Sequence, residues 1–195
     1  IKNRNSATEH SIFDAVRGAT YRIASNNGDA QSAQAAELTA FGSDGFTTGN
    51  AGGTNGNGNG IVSWNWKAGG GQGSSNTDGT INTTYTSANT TSGVSISMYE
   101  GTGSNASFGH GLSTAPEFVI IKGLDATSQW FCYFKNVGAN KSSQLDNAST
   151  FSSDTVSWQN THPTSSVVTI GNDGGTNSSG NTMLAYCFTP VKGFS

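Results

Sequence analysis

The chain repeats itself, and that constrains every other reading of it. Residues 1–19, IKNRNSATEHSIFDAVRGA, resemble residues 121–139, IKGLDATSQWFCYFKNVGA. Ile1 aligns with Ile121, Lys2 with Lys122, Phe13 with Tyr133 and Gly18-Ala19 with Gly138-Ala139, each pair 120 residues apart. Further along, GFTTGN (45–50) resembles VVTIGN (167–172). Asn59 then aligns with Asn181, Trp64 with Tyr186 and Trp66 with Phe188, now 122 residues apart. A near-constant separation across several ordered segments points to duplication rather than compositional accident.

The second copy carries an extra leading stretch, GVSISMYEGTGSNASFGHGLSTAPEFVI (93–120), with no counterpart ahead of residue 1. The expected organisation is a first unit over 1–68 lacking its leading strands and a complete second unit over 93–195. A Gly/Ser/Thr stretch over 69–92 lies between them as a linker or edge strand, since its TINTTYTS (80–87) is β-prone. The start, with neither initiator Met nor signal peptide, reads as part of a longer polypeptide or a processed product. One compact body is favoured over two, because the first unit alone would present open sheet edges.

Strand signals dominate. GVSISMYE (93–100) alternates, with Val94, Ile96 and Met98 on one face. EFVIIKG (117–123) is a nearly continuous apolar run, suited to a strand covered on both faces. WFCYFKN, SSVVTIGN, GIVSWNWKA (60–68) and TMLAYCFTP are further strands. NGNGNG (55–60) is expected as a hairpin tip, with DGGTNSSGN (173–181) as its equivalent. The best helix signal is SAQAAELTA (32–40), two turns with Ser32 as cap. The fold class that fits is all-β: an antiparallel two-sheet sandwich of jelly-roll type, built from two related repeat units.

Composition excludes several functions. Only 11% of residues are charged and the net charge is −3, against about 25% charged in an average soluble protein. No basic block exists to track a phosphate backbone, so nucleic acid is not an expected partner. No apolar run approaches the roughly 18–20 residues of a membrane span. Four Trp, five Tyr and ten Phe argue against a disordered chain.

The candidate sites are few. Cys132 and Cys187 each fall among apolar strand residues and read as small buried hydrophobes, with a disulfide as the lesser alternative. Those two thiols and His10, His110 and His162 are too scattered for a metal set. GTGSNA (101–106) lacks the helix start that a dinucleotide loop needs. His110, between two glycines, reads as a structural histidine bonded to a turn. Asp173 to Asn177, with Asp44, is thin for calcium. The acids are dispersed, with no strand displaying a glycosidase pair. No catalytic residue, metal ligand or cofactor is therefore assigned. Trp64, Trp66 and Trp158 are the candidate ligand residues, as a sugar-stacking platform, with core packing the plainer reading.

As a set, the motifs resemble a known family. VSISMYEGTGSNASFGHGLSTAPEFVIIK, a Trp130 to Phe134 strand, TSSVVTIGN (164–172) and SGNTMLAYCFTPVKGFS (179–195) resemble a domain of unknown function. That domain recurs in tail-fibre and other virion structural proteins of tailed bacteriophages, notably marine ones. The opening motifs, with FGSDGFTTGN and VSWNWKAGG, resemble the module that precedes it there. The resemblance implies a non-enzymatic virion domain: tail fibre, appendage or capsid decoration. Its implied partners are copies of itself, a trimer being the expectation, other virion proteins and a host-surface glycan. The alternatives are a carbohydrate-binding module of a viral or cell-surface adhesin, and a depolymerase-type enzyme.

Overall fold

The computed structural model describes residues 1–193; the final Phe194-Ser195 of the closing motif lies outside the described residues. The chain is nearly all β, with antiparallel sheets. The opening strands are β1 (Lys2–Asn3), β2 (Ser11–Asp14), β3 (Gly18–Ala24), β4 (Ser32–Ala33), β5 (Leu38–Phe41) and β6 (Phe46–Thr48). A single helical turn, α1 (Gly52–Asn55), leads to β7 (Ile61–Val62). Then come β8 (Tyr85–Asn89), β9 (Val94–Glu100), β10 (Ala106–Gly109), β11 (Phe118–Gly123) and β12 (Trp130–Phe134). The last elements are β13 (Lys141–Gln144), β14 (Ser152–Ser153), β15 (Val167–Ile170), the turn α2 (Gly174–Asn177) and β16 (Thr182–Phe188).

Seven strands form the central sheet, in the order β14-β13-β12-β11-β16-β9-β8. Strands β11 to β14 pair consecutively, as a meander. Alternation then gives each face its own core. Tyr99, Val119, Ile121, Tyr133, Met183, Ala185 and Cys187 point one way, into a cluster closed by Phe108, Trp158, Val168 and Ile170. Ile96, Trp130 and Leu184 point the other way and meet Val16 and Ile23 of the opening segment. Burial on both faces is why β11 reads as an unbroken apolar run. Cys132 and Cys187 are free, buried and in different strands of this sheet. By strand alternation they lie on opposite faces, Cys132 with Trp130 and Cys187 with Met183, so no disulfide can join them.

The opening segment is paired like the second half. Ser11 pairs with Ala24 and Ile12 with Ile23, as Phe131 pairs with Gln144 and Cys132 with Ser143. Tyr21 pairs with Ala33 and Arg22 with Ser32, as Lys141 pairs with Ser153 and Ser142 with Ser152. Lys2 pairs with Val62, as Lys122 pairs with Leu184. Ile1 and Ser11 exchange bonds of 2.6 and 3.0 Å, at the place where Ile121 pairs with Phe131. Even the turns agree. GGTN forms both α1 and α2, entered through residues at φ −70°, ψ 135° and φ −73°, ψ 131°. Asn55 Nδ2 donates to Gly49 O at 2.8 Å and Asn177 Nδ2 to Gly171 O at 3.1 Å. A Cβ on Gly49 would strike the Ala36 carbonyl, and one on Gly171 the Val156 carbonyl. These glycines let two backbones touch.

Three expectations need correction. No helix forms over 32–40; Ser32–Ala33 is β4 and Leu38–Phe41 is β5. Only Glu37 and Leu38 there are buried, so no helical stripe exists to bury. The carbonyls of Ala36 and Glu37 instead accept from Ala51 N and Gly49 N, at 3.0 and 2.7 Å. The stretch GIVSWNWKA pairs only at Ile61–Val62. The expected hairpin tips are each built on one helical turn. Residues 69–92 do carry an edge strand, β8, and bury Ile81.

The opening segment docks on the central sheet through buried polar groups. Arg17 Nε donates to Asp14 Oδ2 at 2.7 Å, and Tyr186 of β16 donates to the same oxygen at 2.8 Å. Burial opposes the Arg17 charge, but Asp14 and Tyr186 beside it raise its pKa. Trp130 Nε1 donates to Ala24 O and Asn27 O, both at 3.0 Å. Lys122, with no exposed surface, donates to Gly28 O at 3.2 Å and Gly123 O at 2.6 Å. Asp14→Ala strands the buried guanidinium and should cost about 3–5 kcal/mol in denaturant unfolding.

Burial lowers the Lys122 pKa from 10.5 to about 8, against the opposing pull of Asp146 and Asp29. Between those values the unfolded chain holds the proton that the folded chain has lost. Stability from this residue therefore rises with pH across that window. Lys122→Met should remove the rise, which unfolding curves of both proteins at pH 7, 8 and 9 will show as diverging midpoints.

Candidate functional site

The described surface carries one contiguous aromatic feature, a row of five rings across the end of the central sheet. Strand register builds it. Phe118 on β11 stands directly opposite Phe134 on β12 and Phe188 on β16. Their ring centroids lie 5.0 and 5.6 Å from Phe118, within the range of favourable aromatic pairs. Trp66 extends the row beyond Phe188 at 6.3 Å, edge-on. Phe151 extends it beyond Phe134 at 6.5 Å.

Alternation places Phe118 on the same face as Ile120, which packs against the cluster under the opening segment. The row is thus the uncovered continuation of that buried face. Trp66 is 58% exposed and Phe134 40%. Lys135 and Glu117 flank it with an ion pair at 2.6 Å, worth little at such exposure. Neutral, half-buried rings in a line can stack on pyranose faces or bury against another apolar protein surface.

The three tryptophans singled out from the sequence part company. Trp66 belongs to the row. Trp64 is 63% exposed on the same segment. Trp158 is 1% exposed and packs edge-on to Tyr133 at 5.6 Å. With no free ring face it cannot stack on a sugar, and it leaves the candidate site. Sequence reasoning missed Phe118, Phe134, Phe151 and Phe188. Phe118 begins an apolar run, Phe134 and Phe188 end theirs and Phe151 follows a polar stretch; only the pairing register shows that three of them are neighbours.

The polar groups singled out from the sequence are occupied. His110 is buried; its Nδ1 accepts from Leu112 N at 3.1 Å, so Nε2 carries the proton facing Thr164 O at 3.2 Å. Burial lowers its pKa. This is the structural histidine of a turn that the sequence suggested. In the GTGSNA loop, Thr102 N is taken by Asn177 Oδ1 at 2.7 Å, and strand β10 follows rather than a helix. Asp173 caps α2 through Gly175 N at 2.7 Å. Among the described residues, no three His, Cys, Asp or Glu side chains gather as a metal set. A cavity of about 290 Å³ between 123–131 and 174–181 has Asp125 as its sole lining acid. That carboxylate accepts from Thr182 N at 2.5 Å. Burial pushes both cysteine thiols up to about 12, which leaves no thiolate nucleophile at neutral pH.

Truncations should separate core from row. Trp158→Ala should cost about 3–5 kcal/mol by emptying a packed site. Trp64→Ala and Trp66→Ala should each stay within about 1 kcal/mol of the parent in the same denaturant titration, as exposed positions do.

No curated protein and no solved structure matches this chain. One family model matches it over residues 1–195, described as Domain of unknown function (DUF7483). The chain, an antiparallel β fold whose aromatic rings line one exposed edge, belongs to that family of unknown function.

Proposed function

We propose that this domain is a non-enzymatic structural module of a tailed-bacteriophage particle, in a tail fibre, appendage or capsid decoration. In this reading it assembles with copies of itself and with other virion proteins, and presents its remaining surface to the host. Its architecture is a two-sheet sandwich made from a duplicated unit. The recurrence of the same strand pairings 120 and 122 residues apart supports that description. The phage assignment rests on the motif resemblance described above.

The observation that carries the assembly reading is the aromatic row. Rings at 58% and 40% exposure in one line are an apolar surface in want of cover, rimmed by the single Lys135–Glu117 pair. A second reading, a carbohydrate-binding module, is favoured by the two exposed indoles of Trp64 and Trp66.

The solution mass by light scattering at micromolar concentration tests the first reading. A trimer is expected, and the double variant Trp66→Ser with Phe134→Ser should fall to the monomer while keeping its far-ultraviolet spectrum. A parent protein that is monomeric at every concentration would overturn self-assembly. Saturable glycan binding that Trp64→Ala abolishes would then establish the second reading.

A further inference from the structure

Both halves build the same turn, but a side chain that closes it in the first has no counterpart in the second. Asn5 Oδ1 accepts from Gly60 N at 2.6 Å, and Asp125 Oδ2 accepts from Thr182 N at 2.5 Å in the corresponding place. Asn59 N donates to Gly56 O at 3.0 Å, and Asn181 N to Ser178 O at 3.1 Å. Within that shared frame Asn3 is buried, and its Nδ2 donates to Gly52 O at 2.8 Å. Gly123 stands where Asn3 stands, and Gly174 where Gly52 stands. Glycine has no side chain to cross that gap. Gly123 and Gly174 instead both line the cavity of about 290 Å³.

A second difference gives this cavity an aromatic wall. Phe131 stands where Ser11 stands. It is half-buried, and a Cβ on Gly175 would strike its ring. The turn backbone thus covers part of the ring, and the rest borders the cavity. The polar lining offers donors and acceptors together. Asp125 gives one carboxylate oxygen to Thr182 N and keeps the other. Asn181 Nδ2 donates to Ser178 Oγ at 2.6 Å, which leaves Asn181 Oδ1 as an acceptor and the Ser178 hydroxyl hydrogen as a donor. Among the described residues, none bonds the Thr127 hydroxyl, and no side chain donates to Gly174 O.

We infer that this cavity binds a single neutral pyranose, the terminal residue of a glycan. Sugar hydroxyls donate and accept at once, which matches the mixed lining. A pyranose C–H face suits the bared part of the Phe131 ring. One hydroxyl takes Gly174 O, as the Asn3 amide takes Gly52 O. The lining has one carboxylate and no basic side chain. It therefore repels anions, and it falls short of the several oxygens a calcium ion needs. The volume lies at the lower edge of the roughly 300–1,000 Å³ typical of ligand pockets, so one ring enters rather than a chain. The site is at the opposite end of β11 from Phe118, so it rests neither on the aromatic row nor on the assembly reading.

The test titrates the isotope-labelled, intact 195-residue chain with methyl glycosides of glucose, galactose, mannose and N-acetylglucosamine, one at a time, following amide shifts. Saturable shifts at Gly123, Thr127 and Gly174 are expected for at least one sugar, with a Kd on the order of 1–10 mM for so small a ligand. Gly123→Asn rebuilds the first half's arrangement, filling the gap at the expense of a slight shift of Ser128, whose Cβ would lie 3.2 Å from the new one. Gly174→Leu covers the cavity from a position where a Cβ meets nothing within 4 Å. Each should weaken binding by more than about tenfold while the remaining amide spectrum stays folded. Asp125→Asn keeps an acceptor for Thr182 N, as Asn5 does for Gly60 N, and turns the other acceptor into a donor. It should weaken binding severalfold.

No saturable shift with any of the four sugars would overturn the inference. So would binding that survives both glycine variants, or shifts at Trp64 and Trp66 in place of Gly123 and Gly174, which would move the sugar to the indoles. Light scattering on the same samples reads assembly separately. A trimer that binds none of the sugars keeps the assembly reading and loses this site, and a monomer that binds one at Gly174 does the reverse.

Discussion

Two full positive charges are buried where the opening segment meets the central sheet, and the docking of one on the other turns on satisfying them. Arg17 is met by Asp14, whose carboxylate Tyr186 also bonds, and by the carbonyls of Tyr21 and Ile12. Lys122 has the carbonyls of Gly28 and Gly123. A desolvated charge without such partners would cost several kcal/mol. The relative placement of the two parts is thereby fixed more sharply than by apolar contact alone. Val16, Ile23, Leu124 and Trp130 supply the driving force of burial, and they would tolerate a slide of a few tenths of an ångström. The Asp14 carboxylate shared by Arg17 and Tyr186 would not.

Positions 120 residues apart that share a place in the pairing are used differently on the two sides of that seam. Lys2 and Lys122 hold the same place in the pairing, yet they solve their charge differently. Lys122 is sealed under the loop at Gly28. Lys2 bonds the carbonyls of Ser6 and Thr8 on its own side. Trp158 and Leu38 likewise stand 120 residues apart, both buried, with Trp158 in the larger core cluster. The strand pairings match while side-chain volume differs with what each half packs against.

Much of this was legible before any coordinates. The all-β class, the long strands β9, β11, β12 and β16, and the buried free cysteines all follow from alternation. So does the turn role of His110. The failures have physical causes. SAQAAELTA has helical propensity but almost nothing to bury, so the carbonyls of Ala36 and Glu37 bond Ala51 and Gly49 instead. Trp158 and Trp66 look alike in the sequence, and only the third dimension separates an indole in the core from one on the rim. The aromatic row was invisible for a similar reason: Phe134, Phe118 and Phe188 are far apart in the chain and become neighbours through register alone.

The two thiols have a bearing on where such a domain can exist. Each is buried, they face away from each other through the thickness of one sheet, and each holds its proton up to a pKa of about 12. There is then no thiolate to oxidise and no geometry for a cross-link. No disulfide between Cys132 and Cys187 contributes to fold stability. Oxidant strength is therefore not a lever on the pairing of these strands: β12 and β16 are held by their ladders and by burial, with sulfur acting only as packing volume.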